Sequence, residues 1–158
     1  MTTTDDAFLN GRLHIRQPKD GYRAGADPVF LAAAVAAKAG DSVLELGCGA
    51  GVAILCLLSR VGNISVTGVD REAPALALAR ENLTRNNLDA DIVQADITAL
   101  PEELRSRSFD HVMTNPPFFD RAHGSPAENP AREAGRGAET ALSDWIDVAT
   151  VSYTHLTL

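Results

Sequence analysis

One predicted strand of this chain must end at residue 114, and that ending is the strongest constraint on the fold. The apolar run at 109–114 is typical of a buried strand, and Asn115-Pro116-Pro117-Phe118 follows it directly. Neither proline has a backbone N–H to donate, so the run cannot continue as a central strand. An amide side chain, a carbonyl and an aromatic ring are therefore predicted at the strand's carboxyl end, where open α/β sheets bind ligands.

Three alternating glycines follow another apolar run, at 42–46. Gly47, Gly49 and Gly51 allow a tight turn, and they let a ligand approach the backbone more closely than a Cβ would permit. The spacing differs from the G-x-G-x-x-G of dinucleotide-binding loops, and Glu45 just before the loop would repel a pyrophosphate. A carboxylate at this place favours a ligand that carries an ammonium group.

A further apolar run, at 64–69, ends in Asp70. An acidic residue roughly 20 positions past such a loop is placed to accept hydrogen bonds from ribose hydroxyls. The loop and Asp70 together predict a ligand that combines ribose with an amino acid and has no pyrophosphate. S-adenosylmethionine is such a ligand, and it is the cofactor that we expect.

Strand-like runs alternate with helical patterns along the chain, which is typical of an α/β fold. We predict a Rossmann-like parallel sheet with helices on both faces, right-handed crossovers and the strand order 3-2-1-4, with the fourth strand at an edge. Asp27 is predicted as the N-cap of the first helix, with Pro28 at its first position. The strands are expected at 42–46, 64–69, 91–95 and 109–114. The helices are expected at 27–39, 52–61, 73–86, 101–105 and 140–150.

These segments resemble those of class I S-adenosylmethionine-dependent methyltransferases. The loop at 45–51 and the carboxylate of Asp70 match two signature segments of that family, and 94–97 resembles the segment that holds the adenine of the cofactor. Asn-Pro-Pro-Phe at 115–118 resembles the signature of members that methylate an exocyclic or amide nitrogen.

Within that group the chain is most similar to the bacterial tRNA(Val) adenine-N6 methyltransferases. The similarity lies in 17–23 with Asp27, in 115–119 and in the helix that contains Trp145, and it covers residues 8–150. It implies that the methyl acceptor is the N6 amine of an adenine and that the partner is an RNA, namely tRNA.

The resemblance also implies roles for individual residues. The implied catalytic residues are Asn115, Pro116, Pro117 and Phe118. The implied cofactor contacts are Glu45, Gly47, Cys48, Gly49, Gly51, Asp70, Asp96, Ile97 and Asn115. The substrate contacts are predicted from the local basic charge and not from the resemblance: Arg12, Arg16, Lys19, Tyr22 and Arg23. Tyr22 and Arg23 could instead close over the cofactor or only hold the N-terminal arm in place.

The exocyclic amine of adenine is a poor nucleophile, because its lone pair is delocalised into the ring. The side-chain oxygen of Asn115 and the carbonyl of Pro116 could accept its two N–H protons and aim the lone pair at the cofactor methyl. Phe118 would stack on the base, which must be unstacked or flipped to reach the pocket. The same tetrapeptide can also form an ordinary turn with an aromatic anchor.

Structural roles compete with functional ones at other positions. Asp70 and Asp96 each precede a helical segment and could cap it. Trp145, at helical spacing, is more typical of a core residue. Cys56 is expected in the core, and Cys48 has no evident partner base. Neither the cysteines nor the four histidines show the spacing of a metal site, so no metal is predicted.

The net charge of −7 is unusual for an enzyme that acts on nucleic acid, which normally carries a basic surface. Residues 11–23 differ, since they hold four basic side chains against Asp20, and we predict phosphate contacts there. No apolar run reaches the length of about 18 residues typical of a membrane helix. The polar, acidic start is unlike a signal peptide. We therefore expect a cytoplasmic protein.

The length of the chain predicts one domain. An N-terminal arm at 1–25 is expected to be disordered over 1–6 and irregular beyond. A domain that binds S-adenosylmethionine is expected at 26–150, followed by an atypical tail at 151–158 whose residues disfavour a helix. Class I methyltransferases continue with further strands, so we expect a truncated domain whose edge strand exposes unpaired backbone groups.

Other functions stay open. Release-factor methyltransferases also need two acceptors, for the amide nitrogen of a glutamine, although they usually have Tyr where Phe118 stands. Methylation of guanine N2 in rRNA is a further alternative. A fragment that lacks part of its sheet could also bind cofactor weakly, or nothing, without turnover. The oligomeric state is not predicted.

Overall fold

A computed structural model describes residues 2–20, 22–116 and 140–153. The strands are β1 (Thr3–Phe8), β2 (Leu13–Pro18), β3 (Ser42–Leu46), β4 (Ser65–Asp70), β5 (Asp91–Gln94) and β6 (His111–Thr114). The helices are α1 (Asp27–Ala34), α2 (Val52–Arg60), α3 (Ala73–Arg85), α4 (Glu102–Arg105) and α5 (Leu142–Ser152), with a 3₁₀ turn at Ile97–Ala99. None of these helices is long and apolar enough to cross a membrane.

Strands β3 to β6 form one parallel sheet in the order β5-β4-β3-β6. This is the predicted order 3-2-1-4, and it places the last strand at an edge. Leu46 lies opposite both Val69 and Thr114, so these strands end side by side. Val43, Leu44 and Leu46 are completely buried, as expected for a strand that is covered on both faces.

Two apolar clusters cover the two faces of the sheet. The first packs against α1, α2 and β2, and its buried members include Ile15, Val43, Ile54, Leu57 and Met113. The second lies beneath the 3₁₀ turn, α4 and α5, and its buried members include Leu44, Leu46, Val69, Ile97 and Leu104. Because successive side chains of a strand point to opposite faces, Glu45 shares the first face with Val43.

The prediction of a disordered and irregular N-terminal arm is wrong for residues 3–18. These residues form an antiparallel hairpin of β1 and β2. Leu13 and Ile15 are buried, whereas His14 between them is exposed. That alternation is the signal of a half-buried strand. The polar composition of β1 concealed this strand signal in the sequence. The hairpin is held in place by contacts with α3, which is distant along the chain.

The first helix is shorter than predicted, and Asp27 is not its N-cap. Ala26 occupies the cap position, and no side chain caps the helix. The backbone becomes extended at Val35, with ψ of 118°. Arg60 of α2 donates to the Val35 carbonyl, so a side chain from another helix satisfies a carbonyl at this helix end. The local sequence could not indicate that partner.

The edge strand is covered at its start. The Phe109 amide donates to the Ser152 carbonyl at 2.9 Å, and Phe109 pairs in parallel with Tyr153. The prediction of unpaired backbone along 109–114 is therefore wrong at Phe109. Helix α5 also extends through Ser152, two residues into the predicted tail. Residues 154–158 of that tail lie outside the described residues.

Candidate active site

Polar groups collect where the parallel strands end. Glu45 and Gly47 lie at the end of β3, Asp70 ends β4, and Asn115 follows β6. Asp96 is the second residue after β5. The carboxyl ends of parallel strands share one edge of a sheet, and ligands bind in the crevice outside that edge. The fold thus brings together the predicted cofactor contacts and the start of the predicted catalytic segment.

The glycine loop adopts a backbone that only glycine accepts easily. Gly47, Gly49 and Gly51 have φ of +71°, +52° and +80°, in the left-handed region that other residues rarely occupy. The amides of Gly47 and Cys48 both donate to the Val69 carbonyl, at 2.8 and 3.0 Å. These bonds fold the loop over the end of β4.

Asp70 holds both the loop and the start of the next helix. Its Oδ2 accepts from the Gly49 amide at 2.8 Å, and its Oδ1 accepts from the Glu72 amide at 2.9 Å. Glu72 is the N-cap of α3, and no side chain caps that helix, so Asp70 binds the amide of the cap residue and does not have the capping role considered for it. A carboxylate offers about four lone-pair sites, so acceptor capacity remains for the hydroxyl groups of a ligand.

Glu45 is a buried carboxyl group with one oxygen unpaired. The residue is 4% exposed, and its Oε2 has no hydrogen-bond partner among the described residues. Burial, followed by the charge of nearby Asp70, raises the pKa of Glu45 well above its usual value, and an N–H of Ile54 opposes this. A buried, unpaired oxygen beside a second acid is suited to a cationic ligand.

Gly68 is a residue of the site that sequence reasoning missed. It lies opposite Glu45 in the pairing of β3 with β4. A Cβ at Gly68 would stand 2.6 Å from Cδ1 of Ile54 and 3.0 Å from Sγ of Cys48. A glycine therefore allows the loop and α2 to pack closely over the strand. A glycine in the middle of an apolar strand was the available signal.

Trp145 of α5 packs against the glycine loop. A Cβ on Gly47 would stand 2.8 Å from Cη2 and 3.0 Å from Cζ3 of the indole. The ring also packs against the apolar cluster beneath α5, which is the core role considered for it. Its Nε1 is buried without a hydrogen-bond partner among the described residues.

Two of the predicted substrate contacts already have acidic partners. Arg16 Nη1 lies 2.6 Å from an oxygen of Glu81, and Arg23 Nη2 lies 2.8 Å from an oxygen of Asp6. These four side chains are only partly exposed. The hairpin and α3 therefore hold both guanidinium groups in place in this structure.

Tyr22, Arg12 and Lys19 are placed differently. Burial, then the charges of Asp27 and Glu45, raise the pKa of Tyr22, so its hydroxyl lies near both acids although 54% of the residue is exposed. Arg12 and Lys19 form no ion pair with any described residue. Of these three residues, Tyr22 is the one whose pKa responds to the charge of Glu45, at the end of β3.

Asp96 caps the 3₁₀ turn. It accepts from the Thr98 hydroxyl at 2.7 Å and from the Thr98 amide at 2.9 Å. These two bonds lower the pKa of Asp96, so the carboxylate is charged over a wide pH range. Ile97, the next predicted cofactor contact, is buried. The capping role considered for Asp96 is present at the edge of the crevice.

Neither cysteine has the environment of a nucleophile. Burial, then the charges of Glu45 and Asp70, raise the pKa of Cys48 well above its usual value. Burial and the charge of Glu45 raise the pKa of Cys56 to about 11. Both thiols are therefore protonated at neutral pH and unreactive. In the three described ranges, no three His, Cys, Asp or Glu side chains are grouped to hold a metal ion.

The end of β6 is tied to the glycine loop's own strand. The Thr114 hydroxyl donates to the Leu46 carbonyl at 3.0 Å, so the segment that follows starts beside the loop. Asn115 and Pro116 are both partly buried there. The other two predicted catalytic residues lie outside the described residues: Pro117 and Phe118.

Comparison with known proteins shows where this chain belongs. A family model described as "Methyltransferase small domain" matches residues 25–156. The chain is 30% identical over 151 residues to a tRNA1(Val) (adenine(37)-N6)-methyltransferase of Mannheimia succiniciproducens, which covers 93% of this chain and 61% of that protein. It is 32% identical over 102 residues to a ribosomal RNA small subunit methyltransferase C of Cronobacter sakazakii, which covers 65% of this chain and 28% of that protein.

The chain spans about three fifths of the length of three tRNA-modifying relatives that it matches. Among solved structures, it aligns with the Pyrococcus abyssi tRNA (uracil-54, C5)-methyltransferase in complex with S-adenosyl-L-homocysteine. The TM-score is 0.55 at 22% identity, and the alignment covers 70% of this chain and 27% of that chain. The predicted α/β fold of class I methyltransferases is confirmed.

Proposed function

This chain belongs to the methyltransferase small domain family, and on that premise we propose that it acts as an S-adenosylmethionine-dependent N-methyltransferase. The observation that carries the proposal is the meeting of the glycine loop, Asp70 and Asn115 at one edge of a parallel sheet. We propose residues 26–150 as the domain that binds the cofactor.

The crevice residues fit the parts of S-adenosylmethionine. A Cβ on Gly49 would meet no atom of the described residues within 4 Å, so these residues leave open space along the loop backbone. The unpaired Oε2 of Glu45 suits the ammonium group, and Asp70 keeps lone pairs for the ribose hydroxyls. The remaining proposed contacts are Gly47, Cys48, Gly51, Asp96, Ile97 and Asn115. The cofactor supplies an activated methyl group, and the chain supplies binding and orientation.

The acceptor nitrogen is proposed to bind at the end of β6. The Asn115 side-chain oxygen and the Pro116 carbonyl would accept the two N–H protons of an exocyclic amine and hold its lone pair toward the cofactor. No strong general base is needed, because the proton can leave after the methyl group has been transferred. Pro117 and Phe118 are proposed to complete this pocket, with Phe118 stacked on the base.

We propose the N6 amine of an adenine in tRNA as the methyl acceptor, which implies a cytoplasmic protein. The support is the similarity to a tRNA adenine-N6 methyltransferase along 93% of this chain. Arg12, Lys19 and Tyr22 are proposed to contact the RNA. Arg16 and Arg23 could contact phosphates only after leaving the acidic partners that they have in this structure.

A second candidate is an exocyclic amine of ribosomal RNA, such as guanine N2. The similarity to a ribosomal RNA small subunit methyltransferase favours it, although it covers less of this chain. The guanine amine also carries two N–H protons, so Asn115 and Pro116 could hold it in the same way. A glutamine side chain of a release factor is the alternative that lies outside RNA.

The test supplies the full chain with S-adenosylmethionine and, in parallel, unmodified tRNA, ribosomal RNA and a release-factor peptide. Mass spectrometry is expected to find N6-methyladenosine in the tRNA alone. N2-methylguanosine in the ribosomal RNA, or methylglutamine in the peptide, would favour the respective alternative. Calorimetry measures cofactor binding separately. Binding without product would support an inactive fragment, and no binding would contradict the cofactor assignment.

A further inference from the structure

A buried amide side chain joins the N-terminal hairpin to the glycine loop. Asn82 of α3 is completely buried. Its Oδ1 accepts from the Arg16 amide at 2.7 Å, and its Nδ2 donates to the Arg16 carbonyl at 2.9 Å. The same Nδ2 donates to the Ala50 carbonyl at 3.1 Å. Both N–H donors of the amide are therefore used, one on β2 and one on the loop.

Asn86, one helical turn later, makes the same bonds to β2 and no bond to the loop. Its Oδ1 accepts from the His14 amide at 3.0 Å, and its Nδ2 donates to the His14 carbonyl at 2.9 Å. The other N–H of this amide donates to the Asn82 carbonyl within α3, at 2.7 Å. The two asparagines lie on one face of the helix, and their hydrogen bonds differ chiefly in the bond to Ala50.

The Ala50 carbonyl belongs to the peptide unit whose N–H is that of Gly51. This N–H donates to the Cys48 carbonyl at 2.8 Å. The unit lies between Ala50 and Gly51, and Gly51 has φ of +80°. Glycine tolerates more than one orientation of the adjoining peptide plane, so the plane depends on its hydrogen bonds. Asn82 holds its carbonyl end.

Close packing supports the same contact between α3 and the loop. A Cβ on Gly51 would stand only 3.3 Å from Cβ of Ala79. Ala79 is completely buried and lies three residues before Asn82 on α3. The bond from Asn82 to Ala50 is therefore made across a tight interface, where a change of helix position would move the loop.

We propose that Asn82 is a positioning residue for cofactor binding. It connects the hairpin, through α3, to the peptide unit between Ala50 and Gly51, and so holds the glycine loop in its binding shape. This rests on the function proposed above, because S-adenosylmethionine is the ligand that the loop receives. It gives the N-terminal hairpin a part in cofactor binding that does not require contact with the substrate.

The test compares Asn82→Ala with Asn86→Ala in the full chain. Each variant loses two bonds to β2, so both should have a lower Tm. Only Asn82→Ala loses the bond to Ala50. Its Kd for S-adenosylmethionine, measured by calorimetry where both variants are folded, should rise roughly tenfold, in the range expected for one hydrogen bond, while that of Asn86→Ala stays close to the unaltered value. Equal cofactor affinities in the two variants would overturn the proposal.

Asn82→Asp decides the matter if Asn82→Ala does not fold. A carboxylate has the shape of the amide and can accept from the Arg16 amide, but it has no N–H to donate to Ala50. Its negative charge would attract the cationic cofactor, so weaker binding could not be attributed to charge. Weaker binding is expected, and unchanged or tighter binding would overturn the proposal.

Amide exchange distinguishes the two possible failures. If the unaltered chain binds no S-adenosylmethionine, the proposed function fails, and the positioning role can still be tested. Exchange of the Gly51 amide, followed by NMR, should be faster in Asn82→Ala than in Asn86→Ala. The same exchange rate in both variants would show that Asn82 does not hold the loop.

Discussion

The two ends of the parallel sheet differ in how their polar groups are satisfied. At the amino end, Asp110 Oδ2 accepts from the amide and the hydroxyl of Ser42, each at 2.8 Å. Asp41 Oδ2 lies 3.0 Å from Nε2 of His111 at the same end. At the carboxyl end, Glu45 is buried with an oxygen that has no partner among the described residues.

Left-handed backbone occurs at both ends, at Gly40 and Asn63 before the strands and in the glycine loop after β3, so the contrast lies in the unpaired group. An unpaired buried group is unfavourable for folding alone, and such groups call for another explanation, such as a functional role. We infer that the amino end serves stability, whereas the carboxyl end keeps groups available for a ligand. Substitutions at the two ends should therefore affect different measurements.

Gly47→Ala should have the largest effect. Its Cβ would stand 2.8 Å from the Trp145 ring, at a residue with φ of +71°. Overpacking costs about 1–3 kcal/mol, and a left-handed alanine costs about 1–2 kcal/mol. The free energy of unfolding, measured in urea, should fall by both amounts, and calorimetry should show that cofactor binding is lost.

Gly40→Ala is the matched control at the amino end. Gly40 has φ of +96°, but a Cβ there would meet no atom within 4 Å in the part of the chain that the structure describes. This variant should lose stability through backbone strain alone and keep its cofactor affinity. If both alanine variants lost the same stability and the same affinity, the two ends would not differ as described.

Asn115→Ala should lower the single-turnover rate of methyl transfer by about 10- to 100-fold, as for one strong hydrogen bond made in the transition state. Cofactor affinity, measured by calorimetry, should fall less than the rate, because Asn115 is proposed to contact both ligands and its bond to the acceptor amine matters most in the transition state. Asn115→Asp keeps an acceptor oxygen and should retain more activity. A normal single-turnover rate in the alanine variant would contradict the proposed role.

Glu45→Gln should separate stability from binding. The variant removes a buried ionisable group, so the free energy of unfolding near neutral pH should rise. It also removes the charge proposed to face the cofactor ammonium, a charge-assisted hydrogen bond of about 1.5–3 kcal/mol, so affinity should fall by about 10- to 100-fold. Full affinity in a stabilised variant would show that the ammonium binds elsewhere.

Asp41→Asn should have the smallest effect, visible in the pH dependence of stability. The Lys38 N–H, then His111, lower the pKa of Asp41. The stability that Asp41 contributes to the folded chain is therefore lost as pH falls through that lowered pKa.

Glu45 has the opposite pH dependence, because its pKa is raised. The folded chain holds the Glu45 proton more tightly than the unfolded chain, so stability falls as pH rises above the ordinary glutamate range.

Urea midpoints across pH should therefore show a smaller acid decline in Asp41→Asn and a smaller decline at higher pH in Glu45→Gln, while Asp96, whose pKa is also lowered, keeps its own part of the acid decline. Cofactor affinity should not change in Asp41→Asn, because Asp41 and its partner His111 lie at the end of the sheet opposite the crevice. A changed affinity there would remove the distinction between the two ends.

The sheet was predictable because its signals are local. β3 and β4 are short apolar runs, and glycines or an aspartate mark their ends within one or two residues. The hairpin was not predictable, because β2 is held by the side chains of Asn82 and Asn86, which come from a helix far along the chain. The early end of α1 depends in the same way on Arg60.

The candidate site shows the same difference between features set by local sequence and features set by distant contacts. Glycine spacing, Asp70 and the consecutive prolines were enough to predict the cofactor class, the family by resemblance, and the edge of the sheet proposed to bind the ligand, because these features act within a few residues of backbone. Only tertiary packing buries Glu45 with an oxygen that has no partner among the described residues, puts Gly68 beneath Cys48, and covers the loop with Trp145. Each of these depends on packing between segments distant in sequence, and a local pattern carries no record of its partner.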